Sequence, residues 1–405
     1  MEAAWGGHAK ARGSVSRHDY RTVFQLVGDR TLYDGSAECR VKGELFFGQW
    51  GHVDVHYETV FTGGDTRSNV KKLEQVLPAP TQGDFLLSRP LEDDRRLFDL
   101  TRSIVDDHHC LLYHRLDRLS LSLMHKWGMV RLGRQAVTWG DGLIFNPLDL
   151  LSPFSPSDIE RDYKLGEDMV FVQFSPPPMG DSQFFYVPRR DPVTGEVEWD
   201  QSSLAGKLHM AVGTTEFDIM AASHFKDIVV GLGSTGYLLD AAWRMGVTWT
   251  FLDKDRYGDG YLSLVANMDY SWAWFGKNFY GFVEFFYNGL GHHTYAEAIT
   301  DPEIVQRIQR GDLFTLDRYY VAAHVRVELH PLVNLYLTLI NNLADPSGII
   351  QPRATWDITQ NTQVTLGGTI HYGGTGTEFG GFRLPATPFL YRAPDQAFLW
   401  ITYFF

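Results

Sequence analysis

The 405-residue chain contains no run approaching the ~20 apolar residues of a membrane helix, so crossing a bilayer by helices is excluded. Its two cysteines, Cys39 and Cys110, permit one disulfide but no framework, and their spacing fits no zinc motif. Net positive charge is also missing: the formal charge of -13 argues against a general nucleic-acid binder, and no nucleic-acid partner is expected. There is no G-x-S-x-G elbow, and "GLGSTG" (231–236) does not match one. The adjacent histidines of "DDHHC" (106–110) lack properly spaced partners. "DKDRYGDG" (253–260) begins like a calcium loop with Asp253, Asp255 and Gly258, but Tyr257 takes a ligand position and Leu264 replaces the bidentate glutamate. No metal and no cofactor is therefore expected, with weak calcium binding by an outer loop left as a guess. The opening "MEAAWGGHAK" lacks a basic start and an apolar core, so either the numbering is that of a mature chain with Met1 added or the protein is not exported.

What is present is alternation. A mean hydropathy of -0.20 resembles an ordinary soluble protein, but a transmembrane barrel averages to a similar value because every second residue faces lipid. In "HVDVHYETVF" one face carries Val53, Val55, Tyr57, Thr59 and Phe61, and the other carries Asp54, His56 and Glu58. The same pattern recurs in "AHVRVEL" and "LSLVANMDYSW", in runs often ten residues or longer. That length suits a strand crossing a bilayer at a tilt, ~9 to 11 residues, better than the shorter strands of a soluble sandwich. Short connections near 49–52, 126–129, 213–216, 275–278, 330–334 and 359–362 alternate with long ones such as 62–110, 141–167, 290–317 and 374–396. The expected fold is thus all-β: one transmembrane antiparallel β-barrel over residues 1–405, of about eighteen strands with sixteen remaining open, short periplasmic turns and long outer loops carrying short helices.

Trp50, Trp127, Trp274 and Trp356 fall at short-turn ends, where indoles would form a girdle in the headgroup layer. The closing "AFLWITYFF" places Leu399, Ile401, Tyr403 and Phe405 on one face of a last strand. This resembles the C-terminal signal by which bacterial outer-membrane barrels are read by the barrel-assembly machinery. That machinery and outer-membrane lipids are the expected partners, and the bacterial outer membrane the expected location.

At "VRLGRQAVTWGDGLIFNPLDLLSPFSP" (130–156), "DDRRLFDLTRSI", "LLYHRLDRLSL" and "GKNFYGFVEFFYNGLG", the chain resembles a family of bacterial outer-membrane β-barrels related to alginate-export and other substrate-specific porins. The resemblance implies a single barrel with a transport role and hands over no list of substrate-binding residues. It also implies an alternative, a component of a lipid or hydrophobic-compound export system working with a periplasmic or inner-membrane partner.

If the apolar face meets lipid, the other face lines the channel. Its expected basic members are Arg40, Lys42, Arg131, Lys207, Arg244, Arg326 and Arg353; His56 is beside them. The expected acidic members include Glu44, Asp54, Glu58, Asp240, Asp269, Glu284, Glu328 and Asp357, with Glu216 and Asp218. An alginate exporter needs a continuous positive field, and this mixed wall departs from that, leaving cations, neutral sugars or amphipathic molecules open. Pairing across strands to stiffen the barrel is the competing role for these charges.

The loop 141–167 holds Leu143, Ile144, Phe145, Leu148, Leu150, Leu151 and Phe154, far too apolar for a solvated segment. Burial of one such side chain is worth ~1.5 to 3 kcal/mol, so the loop is predicted to fold into the barrel and narrow it. Ser157 with Glu160 reads as a capping box after it. Two helices are predicted in other loops: one capped by Asp301, begun by Pro302 and ended by Gly311, packing Ile304, Val305 and Ile308, and one in "RRLFDLTRSIV" packing Leu97, Leu100, Ile104 and Val105. Cys39 and Cys110 are a candidate disulfide between the first two long loops, provided those loops bend together. The expected function is a porin-like channel passing a specific solute or exported product through a constricted lumen, not an enzyme. A barrel-embedded hydrolase, the last alternative, requires a Ser, His and carboxylate cluster.

Overall fold

A computed structural model describes residues 2–76, 93–156, 163–175, 180–253, 260–385 and 387–405. The Ser157–Glu160 capping box and most of the calcium-like loop lie outside the described residues. The wall begins with β1 (Glu2–Arg17), β2 (Thr31–Phe47), β3 (Gly51–Gly64), β4 (Cys110–His125), β5 (Gly128–Gln135) and β6 (Glu167–Phe174). It continues through β7 (Asp181–Arg190), β8 (Val197–Val212), β9 (Thr215–His224), β10 (Asp227–Leu238), β11 (Ala241–Phe251) and β12 (Tyr261–Trp274). It ends with β13 (Lys277–Asn288), β14 (Tyr319–His330), β15 (Val333–Asn342), β16 (Ser347–Asp357), β17 (Thr362–Tyr372) and β18 (Asp395–Phe404). Each strand pairs antiparallel with the next, and β18 pairs with both β17 and β1, so the eighteen strands close. Closure leaves no unpaired edge in the hydrocarbon layer, where an unsatisfied peptide group costs several kcal/mol.

The alternation sets the two faces. Outward positions such as Leu45, Leu119, Leu132, Ile219, Leu232, Val283, Leu335, Leu366 and Leu399 are apolar and exposed, which makes physical sense only against lipid. Trp50, Trp127, Trp274 and Trp356 are exposed beside the short turns, at one level around the barrel. Leu399, Ile401, Tyr403 and Phe405 are exposed on the outer face.

The wall has one notch. β5 and β6 are eight residues each, half the length of β4, because the chain turns inward after Gln135 and returns only at Glu167. A strap, residues 93–106, fills the space above them. Its strand Thr101–Asp106 pairs with the upper part of β4, while Arg96 bridges to Arg189 of β7. Arg134 closes the seam, donating to Asp168 (2.9 Å) and Asp93 (2.7 Å). The helix predicted in "RRLFDLTRSIV" is therefore absent: residues 94–98 turn and bend, and from Thr101 the chain is a strand, which β-branched Thr101, Ile104 and Val105 suit and the vacant edge of β4 pairs.

Helix α1 (Asp65–Val76) follows β3, and α2 (Tyr295–Ala298) and α3 (Pro302–Arg310) lie between β13 and β14. For α3 the expected caps are present: the Asp301 carboxylate accepts from the Glu303 N–H (2.9 Å), and Gly311 takes the left-handed conformation at φ 79°. Ile304 is fully buried in a cap of loop residues with Leu290, Tyr295, Ile299, Leu316, Phe382 and Leu384, and Val305 and Ile308 are half-buried.

Candidate functional site: a constricted lumen

Ladder parity places Arg40, Lys42, Glu44, Asp54, His56, Glu58, Arg131, Lys207, Arg244, Asp269, Glu284, Arg326, Glu328, Arg353 and Asp357 on the inward face. Asp240 is a correction. It is exposed in the two-residue turn between β10 and β11, where Leu239 takes φ 56° and breaks what the sequence reads as one continuous strand from 238.

The described part of the segment between β5 and β6, residues 136–156 and 163–166, crosses the lumen. At one end it meets Glu284 of β13, which is fully buried and accepts from the backbone N–H groups of Leu143 (2.7 Å), Ile144 (2.9 Å) and Phe145 (2.7 Å), and from the Asn267 side chain (3.0 Å). A carboxylate gathering three consecutive N–H groups fixes the backbone of a turn that has no ladder of its own. Phe145 then stacks on Phe286, with ring centroids 4.5 Å apart, and tilts against Tyr320 at 5.7 Å. Leu148 enters a bare patch of wall. A Cβ on Gly231 would sit 2.6 Å from Leu148, and one on Gly246 would sit 3.0 Å away, so a larger residue there would have to push the Leu148 side chain aside. Leu148 and Leu151 are buried with Trp139, Met169, Phe185, Val187 and Met220. Phe154 departs from the group, being 42% exposed.

The returning leg is held by charge. Lys164 ion-pairs with Asp149 and donates to the Val137 carbonyl (2.6 Å), tying the two legs together. Gly166 N–H donates to Asp117 (3.2 Å), which also pairs with Arg40 and with Arg118 (2.7 Å). Glu58 accepts from Arg115 (2.7 Å) in the same network. Tyr163 reaches the opposite wall, where its hydroxyl accepts from Lys42 (2.9 Å) and its ring lies 4.5 Å from the Arg40 guanidinium. Above this network opens a vestibule of about 530 Å³, lined by cationic, acidic and aromatic groups including Arg40, Arg96, Glu38, Glu167, Tyr163 and Trp400. Among the described residues lining it, buried hydrogen-bonding atoms without a partner include the trio Arg40 Nε, Arg96 Nε and Trp400 Nε1. All three are donors.

Sequence reasoning missed Tyr163, Lys164, Asp149, Asp117 and Arg118, because nothing in a loop or strand pattern says which charges will meet across a lumen. The glycines did leave a signal. Gly231 and Gly233 share the inward face of one strand, and a face without side chains marks a close approach.

The Ser, His and carboxylate cluster that a hydrolase needs has one counterpart among the described residues. Ser203 Oγ is 2.9 Å from His224 Nδ1, and His224 Nε2 is 3.7 Å from Asp312. Ser203 is only 2% exposed and its oxygen already accepts from Arg189 (2.6 Å), so no substrate carbonyl reaches it. The chain of contacts ties the loop after α3 to the wall instead. Among the described residues no group of three His, Cys, Asp or Glu is placed to hold a metal. Cys39 and Cys110 are free thiols, correcting the candidate disulfide: Cys39 pairs with Thr59 and Cys110 with Gly63, four residues apart along β3 and on opposite sides of it.

A closed eighteen-strand wall with an apolar belt, an aromatic girdle and a segment folded into the bore defines a transmembrane β-barrel of the porin architecture. Solved structures of the same architecture include OpdK of Pseudomonas aeruginosa, crystallised with vanillate, at TM-score 0.52 and 10% identity, covering 99% of this chain and 98% of that one. OccAB1 of Acinetobacter baumannii matches at TM-score 0.55 and 8% identity, covering 100% and 96%. A BenF-like porin from Pseudomonas fluorescens Pf-5 matches at TM-score 0.52 and 9% identity, covering 100% and 98%. No family model and no curated protein matches the chain.

Proposed function

We propose that the protein is a passive, solute-selective channel of the bacterial outer membrane, and that its solutes are small molecules joining a hydrogen-bond-accepting anionic group to a flat apolar body. The observation that carries this reading is that residues 136–156 and 163–166 fold across a closed barrel and are anchored to both sides of it. The solute class follows from the vestibule, where the unmatched groups Arg40 Nε, Arg96 Nε and Trp400 Nε1 all donate, beside the rings of Tyr163 and Trp400. The likeness to a porin solved with vanillate fits such a solute. The protein acts by lowering the cost of dehydration along the wall and performs no covalent chemistry. Kinship with alginate-export barrels is proposed for the architecture only, since the mixed wall gives no continuous positive field for a polyanion. Outer-membrane lipids and the barrel-assembly machinery are the proposed partners. A periplasmic export partner belongs to the second reading, which the apolar packing of Leu148 and Leu151 inside the barrel favours. In planar bilayers, benzoate on the long-loop side is expected to interrupt the ion current of the channel, with the neutral benzyl alcohol inert. Equal block by both would remove the anion from the reading, and protein that is folded but silent would favour the export component.

A further inference from the structure

Described residues of three loops meet over the mouth: 289–318, 343–346, and 373–385 with 387–394. Each brings one carboxyl group to the same place beneath the apolar cap. Glu378 accepts from Leu316 N–H (2.8 Å), the Tyr320 hydroxyl (2.6 Å) and the Asn342 amide (2.8 Å). Its own N–H donates to Asp345 (2.9 Å). The Tyr295 hydroxyl donates to Asp345, and it lies 3.2 Å from Asp317, which also receives the Asn342 amide at 3.2 Å. Every one of these bonds but three, the one from Tyr320 and the two from Asn342 of the wall, joins one loop to another or to itself.

The layer is short of positive charge. Among the described residues, the base paired with it is His293, 2.8 Å from Asp317 and more than half exposed. The Arg318 guanidinium turns away to the Gly291 carbonyl (2.7 Å), and the other groups facing Glu378 are the hydroxyls of Tyr295, Tyr320 and Tyr391. A buried Glu378 beside Asp317, with a single exposed histidine nearby, does not ionise cheaply.

We propose that Glu378, gathered with Asp317 and Asp345 beneath the cap, is a proton-operated latch, which ties the three loops together over the mouth when Glu378 is protonated and lets them part when it ionises. Burial first, with repulsion from Asp317, pushes the Glu378 carboxyl up to about 7 against the hydrogen bonds it accepts. In a detached loop the same group returns to the ordinary range, about 4.3. Detachment therefore releases a proton between those two values, and rising pH favours it; above about 7 both states are ionised and the effect levels off.

The test does not need the channel to conduct. Cys39 and Cys110 are replaced by Ser, and Leu384→Cys places a thiol in the buried cap, with Val193→Cys as an exposed reference in a sister protein. The labelling rate of the cap thiol relative to the reference is measured from pH 5 to 8 in liposomes. The ratio is expected to rise, approaching tenfold per pH unit for one proton, up to about pH 7 and then to flatten. Glu378→Gln is expected to abolish that rise while keeping the cap thiol slow at every pH. A ratio independent of pH in the parent, or the same rise in Glu378→Gln, would overturn the latch. Block of current by benzoate is read separately, so the latch and the channel fail independently.

Discussion

The two sides of the lumen hold the crossing segment by different physics. On the β9 to β12 side the wall is stripped to Gly231, Gly233 and Gly246, and Leu148 fills the hollow with apolar contact worth ~1.5 to 3 kcal/mol. On the β1 to β4 side Arg40, Glu58, Arg115, Asp117 and Arg118 form a buried network that takes hold of Gly166 and Tyr163. The apolar contact is tolerant of detail but seals that side. The charged side borders the vestibule, which makes it the proposed route for solute. Glu284 stands apart from both, converting a flexible turn into a fixed one with three N–H contacts.

The comparison is broken most severely at Glu284. Glu284→Ala leaves three N–H groups of the turn without their acceptor, and the segment is expected to leave the bore; liposome swelling should admit sugars that the parent excludes. Gly231→Val attacks the apolar side alone, placing a methyl-bearing carbon where Leu148 now sits. A smaller increase in swelling rate is expected, with the folded state weakened by ~1 to 3 kcal/mol from overpacking. Asp117→Asn acts on the charged side, leaving Arg40 and Arg118 with less compensation. It should change the rate little but move the reversal potential in a salt gradient toward anion preference. Trp127→Ala, at the girdle and far from either anchor, should leave permeation as it is and reduce stability by about 1 kcal/mol or less, read by urea unfolding in lipid.

Much of this was legible in the sequence because a barrel writes itself as a period of two. The inward set from Arg40 to Asp357 came out of parity alone, and Asp240 failed because parity cannot see a turn hidden inside a run. Leu148, Phe145 and Leu151 were readable as an inward loop because apolar side chains in a loop must find cover. The anchors were not: Glu284 reads as one more wall acid until the backbone of Leu143 to Phe145 is placed over it. Nor was the strap. Its residues carry both helical and extended spacing, and the vacancy that decides between them exists only because β5 and β6 stop short.

We propose that residues 136–156 and 163–166, folded across the lumen, set the width of the channel. Single-channel recording of the folded protein beside Glu284→Ala, in the same lipid and salt, tests it most directly. Small steady steps from the parent and severalfold larger ones from the variant are predicted. Steps of equal size from both, with each protein shown to be folded by its heat-shifted migration on a gel, would contradict it.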